Sequence, residues 1–105
     1  MLNDMAKVVH SVAVDKGFWD EKINDIFIAK QCMMIVSEVT ELMESVRKNK
    51  ESHEVVEEIA DILIRTLDLY QGMLNNNYIY ESLDNAVTNK IAKNRGRAKK
   101  HGVKF

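Results

Sequence analysis

Over residues 53–74, apolar side chains recur at helical spacing along two neighbouring stripes. One holds Val55, Ile59, Ile62, Leu69 and Met73; the other holds Val56, Ala60, Leu63, Leu67, Tyr70 and Leu74. At ~100° per residue the two stripes cover roughly half of a helical cylinder. A helix with so wide an apolar face must pack against more than one neighbour, within the chain or across a subunit interface. The chain has no proline and only four glycines, which favours long helices over a turn-rich β fold. The expected architecture is all-α: a four-helix bundle completed by oligomerisation.

Three further helices fit the pattern. The first is predicted over about residues 3–16, ending at Gly17, followed by the short segment FWDEKIND. The second is predicted over about 26–47, with Ile28, Cys32, Ile35, Val39, Leu42 and Val46 alternating steps of four and three. The polar break RKNKES reads as a helix–helix turn into the third helix, 53–74. A fourth is predicted over about 78–93, after an NNN turn. No internal repeat or low-complexity linker divides the 105 residues, so one domain over 1–105 is expected.

No apolar run approaches the ~18 residues of a membrane span. The opening MLNDMAKVVH has no basic region leading into an apolar signal segment. Cys32 is the only cysteine, so no intrachain disulfide can form, and a cytoplasmic location is expected. The net charge of −1 conceals an asymmetry. Residues 89–105 hold seven Lys or Arg and no acid, whereas the first 88 hold 8 basic and 16 acidic residues. The basic tail, from about 95 to 105, has three readings: a nucleic-acid contact, a solvated helix end that complements the helix dipole, or a contact with an anion held near an acidic site.

A row of charge runs beside the apolar stripes: Glu54, Glu58, Asp61, Arg65 and Asp68. Glu58 stands at the edge of the apolar arc with Asp61 one turn on, so neither is expected to project far into bulk solvent. In SEVTELMES, Glu38 and Glu41 are three apart and share a face. An antiparallel hairpin of the second and third helices would bring Glu38, Glu41, Glu58 and Asp61 together. Four carboxylates in a partly dry groove repel strongly unless compensated. All-oxygen ligands suit hard cations such as Mg²⁺ or Mn²⁺. The plainer alternative is a set of solvated acids on amphipathic helices. A di-iron bundle would require Glu-x-x-His on two helices, and neither Glu38 nor Glu58 has a His three residues on.

The spacing Glu38-x-x-Glu41, sixteen intervening residues, then Glu58-x-x-Asp61 resembles the signature of the MazG-like, all-α nucleoside triphosphate pyrophosphohydrolases. GFWDE, SEVTELMES, EEIADILIRTLDL and NKIAKNRGRAKKHGVKF resemble segments of the short single-domain members, so the similarity covers nearly the whole chain. It implies a Mg²⁺-dependent enzyme that cleaves a nucleoside triphosphate to the monophosphate and pyrophosphate. By that resemblance Glu38, Glu41, Glu58 and Asp61 hold the metal, or one glutamate orients the attacking water. Lys90 and Asn94 match residues that relatives direct at the nucleotide, with Arg97 a weaker candidate. His10 and Trp19 are spaced like a His and a Trp that line the base site of deoxycytidine-triphosphate-selective relatives. The alternative for Trp19 is that it caps the bundle together with Phe18.

Two other function classes compete with the enzyme. One is a non-catalytic helical module of the same fold that binds a nucleotide or a protein; the other is a nucleic-acid binder working through the tail. The four intact carboxylates favour the enzyme. The acidic body and the lack of an aromatic-rich basic face disfavour nucleic acid as a partner. The expected partners are a nucleoside triphosphate and further copies of the chain, as a homodimer or homotetramer.

Overall fold

The computed structural model describes residues 1–97. Among them are four helices and no strand: α1 (Leu2–Asp15), α2 (Asp25–Arg47), α3 (Ser52–Asn75) and α4 (Leu83–Arg95). The helix boundaries have local causes. Gly17 takes φ +85° after α1, a conformation that suits a residue without Cβ, and Phe18 N–H returns to the Ala13 carbonyl at 3.0 Å. Asn24 caps α2, its side-chain oxygen accepting from Phe27 N–H at 2.9 Å. Asn49 supplies the positive φ of the α2–α3 turn. The Glu54 carboxylate then accepts from Glu51 N–H at 3.0 Å, securing the start of α3.

α3 packs against both α2 and α1, the two-sided packing that its wide apolar face demands. Ala6 of α1, Phe27 of α2 and Leu67 of α3 are the buried hydrophobic residues among those described. Much of the remaining apolar face is bare: Val36, Val39 and Met43 on α2, and Val56, Ile59 and Leu63 on α3, are exposed. Among the described residues no helix is long and apolar enough to cross a membrane.

The fourth helix departs from expectation. It begins at Leu83, five residues later than the sequence pattern predicts. Asn77 takes φ +63°, and tertiary hydrogen bonds hold the segment before Leu83 out of a helix. Tyr70 Oη donates to the Glu81 carbonyl at 2.8 Å and accepts from Leu83 N–H at 3.1 Å. Ser82 then caps α4 by accepting from Asn85 N–H. α4 packs chiefly on α1, and residues 85–95 are exposed. Its base is tied down by a reciprocal polar knot. Asp84 accepts from the backbone N–H groups of Leu2 and Asn3, while the Asn3 side chain donates to Ser82 Oγ and accepts from Asp84 N–H. The bonds to the first residues of α1, above all to the Met1 ammonium, hold the Asp84 carboxyl below its ordinary range.

Candidate metal and nucleotide site

The antiparallel α2–α3 hairpin brings the acidic pairs face to face. Carboxylate oxygens of Glu38, Glu58 and Asp61 all lie within 4.8 Å of one another. Glu38 and Glu58 are half-buried, and the Oε2 atom of each is buried with no hydrogen-bond partner. A buried carboxylate oxygen without a donor is costly, and a cation between the two would satisfy both. Asp61, against expectation, is exposed: it sits at the mouth of the cluster where α3 faces the open cleft.

Glu41 is the fourth expected carboxylate. It is exposed and stands beside Glu38, outside the tight group of three. Its carboxyl is raised, first by its close side-chain pairing with Glu38, whose carboxylate a protonated Glu41 could bond, then by the negative charge of Glu38, by desolvation, and by Glu58 and Asp61. Two adjacent carboxylates share a proton more readily than they share two charges. Glu38 also receives a hydrogen bond from α3: Arg65 Nε donates to its Oε1 at 2.8 Å.

Beside the cluster lies a cleft of about 270 Å³. Glu38 and Asp61 form its acidic end; Lys16 and Arg65 bring positive charge to its walls, and Phe18, Gln31 and Asp68 complete much of the lining. Phe18 is exposed and faces this space, whereas the expected base-site pair does not line it. Trp19 Nε1 donates to Asp68 at 2.9 Å, and His10 Nδ1 lies 2.7 Å from Asp68 Oδ1. Because a carboxylate only accepts, the His10 proton belongs on Nδ1. The His10 and Trp19 rings meet edge-on at 4.8 Å, and Trp19 tilts against Phe27 at 5.0 Å. The indole lies over Gly72, where a Cβ would come within 1.9 Å of the ring. Trp19 thus packs against α3 in this structure, while Phe18 of the FW pair lies on the cleft.

Lys90, Asn94 and Arg97 are exposed, and no residue of α4 lines the cleft. Within one chain the structure does not bring them to the carboxylates: α4 packs chiefly on α1, and none of its residues reaches the cleft. The tail residues 98–105, Lys99 and Lys100 among them, lie outside the described residues. Arg65, Asp68 and Gly72 were missed as functional or packing positions. Signals for them exist: Arg65 and Asp68 follow Asp61 by four and seven residues on one face, and a glycine inside a helical run marks a close approach.

The family model described as the MazG nucleotide pyrophosphohydrolase domain matches residues 29–102. No curated protein and no solved structure matches the chain. His10 and Trp19 precede the matched segment, whereas all four expected metal-site carboxylates and the whole of α4 fall inside it. With most of its length matched, the chain belongs to the MazG nucleotide pyrophosphohydrolase domain family.

Proposed function

We propose that the chain is a Mg²⁺-dependent nucleoside triphosphate pyrophosphohydrolase that converts a ribo- or deoxyribonucleoside triphosphate to the monophosphate and pyrophosphate, in nucleotide-pool housecleaning. The observation that carries this reading is the three-carboxylate cluster, two of whose members, Glu38 and Glu58, each carry a buried, partnerless Oε2. An all-oxygen donor set of this kind fits a hard divalent cation. Glu38, Glu58 and Asp61 would hold it, with Glu41 at the edge. Bound Mg²⁺ would supply charge neutralisation and Lewis acidity at the phosphate oxygens, with Mn²⁺ a substitute.

The chain's own residues then divide the remaining work. Lys16 and Arg65 offset the negative charge of the phosphate chain in the cleft. Water oxygen bonds to the α-phosphorus as the bond to the bridging oxygen breaks and pyrophosphate leaves. Glu41, exposed beside the cluster, accepts the proton released by the attacking water. Phe18 offers an apolar wall to the nucleoside.

Association completes the proposal. The bare faces of α2 and α3 are those a second copy would cover, giving at least a homodimer. In such an assembly Lys90, Asn94 and Arg97 of the projecting α4 would meet a nucleotide held by another copy. The single domain is proposed to run over 1–105, basic tail included.

The test is pyrophosphate release from a panel of ribo- and deoxyribonucleoside triphosphates, with Mg²⁺ and with chelator. Metal-dependent release from at least one triphosphate is expected. Nucleotide binding without release from any of them would favour the non-catalytic module.

A further inference from the structure

Arg65 is drawn into the acidic site by one hydrogen bond whose geometry has a consequence. Its Nε donates to Oε1 of Glu38 at 2.8 Å, and the two side chains are largely buried, 30% and 13% exposed. The other oxygen of the same carboxylate, Oε2, is buried and has no partner. Glu58, a second member of the same cluster, also has a buried, partnerless Oε2. A carboxylate held by one oxygen has lost most of its freedom to rotate, so the direction of its second oxygen is set by the residue that holds the first.

We propose that Arg65 is a positioning residue for the metal site: by fixing Glu38 through Oε1, it keeps Oε2 aimed into the cluster for a divalent cation. The inference rests on the metal-site reading above. Carboxylates that ligate metals are themselves oriented by hydrogen-bond donors, and loss of such a donor costs about 10–100-fold in metal affinity or activity. Electrostatics alone opposes this outcome, because a guanidinium close to a cation site repels the cation. The sign of the change on removing Arg65 therefore separates positioning from charge competition.

Side-chain chemistry supplies matched variants. The amide nitrogen of glutamine is bonded to Cδ, as Nε of arginine is, so Arg65→Gln keeps a donor at that position and discards the charge. Arg65→Met keeps similar length and bulk with neither donor nor charge. The experiment measures Mn²⁺ binding by the electron paramagnetic resonance of free Mn²⁺, on metal-free protein without nucleotide, after circular dichroism has established helicity.

The expected result is a loss of about tenfold or more in Mn²⁺ affinity for Arg65→Met, and affinity within about threefold of wild type, or tighter, for Arg65→Gln. Wild-type or tighter binding by Arg65→Met overturns the inference and marks Arg65 as a competitor of the cation. If Arg65→Met does not fold, Arg65→Gln decides alone: a tenfold loss there overturns the inference. These failures leave the metal site standing, whereas failure of the wild-type chain to bind Mn²⁺ removes both the site and the role of Arg65 in it.

Discussion

Gly72→Ala is the most telling perturbation of this fold, because helix propensity and tertiary packing give opposite signs. In the interior of a helix, replacing glycine by alanine gains about 1 kcal/mol. Here the added Cβ would lie 1.9 Å from Trp19 Cη2, with Cζ2 and Cζ3 at 2.4 and 2.5 Å. The ring cannot retreat freely, since Nε1 is bonded to Asp68 and neighbouring rings confine it. Overpacking costs about 1–3 kcal/mol, and a lost hydrogen bond to a carboxylate about 1.5–3 kcal/mol. Set against the propensity gain, the net loss is roughly 1.5–5 kcal/mol. For a chain of this size the melting temperature should fall by roughly ten degrees or more. Thermal denaturation followed by circular dichroism gives the magnitude. Fluorescence of Trp19, the only tryptophan, reports whether the indole has moved. A Gly72→Ala protein that melts at or above the wild-type temperature with an unchanged spectrum would refute the claim that Trp19 is wedged against α3.

Glu58→Gln should reduce Mg²⁺-dependent pyrophosphate release by about a hundredfold while raising the melting temperature of metal-free protein, because one of three crowded charges is gone; a pyrophosphate assay and a thermal melt in chelator check both halves. The raised carboxyl of Glu41 means that the folded chain holds this proton more tightly than the unfolded one, so its stabilising effect is complete below the unfolded value and is lost as pH rises through the folded value. Melting in chelator at acidic and neutral pH should therefore show wild type losing ground to Glu41→Gln as pH rises. Lys90→Ala should leave the melting temperature unchanged, as befits an exposed residue, yet lower triphosphate hydrolysis by about tenfold; unaltered kinetics would remove α4 from the nucleotide site.

The carboxylates were legible because helical period fixes which residues share a face. Glu38 and Glu41 had to stand one turn apart, as did Glu58 and Asp61, and the short turn had to fold their helices together. Period says nothing about depth, which is why Asp61 proved exposed and Glu41 fell outside the tight cluster. Arg65 and Asp68 were visible in the same charged row, but their partners lie on other elements, Glu38 on α2 and His10 on α1, and only packing selects them. Trp19 shows the same limit. Its identity suits stacking on a base or filling a core, and the partners that place it, Asp68 and Gly72, are each about fifty residues away in sequence. The start of α4 was misplaced because Tyr78, Ile79 and Tyr80 continue an apolar pattern, while the hydrogen bonds that interrupt it come from Tyr70.

The polar knot at the base of α4 makes that helix an arm on a pivot. Two helix N-termini, each the positive end of a backbone dipole, converge on Asp84, and its single carboxylate counters both. The arm beyond the pivot buries almost nothing, whereas α3 is gripped on both sides. Opening the arm therefore costs little more than the knot, and it can proceed while the rest of the chain stays folded. In hydrogen exchange, amides along Asn85–Arg95 should exchange through this local release and those around Leu67 only through global unfolding. The direction in which Lys90 and Asn94 are presented is then adjustable without any change in the carboxylate cluster, which leaves the reach of the arm free to be set by whatever surface it lies against.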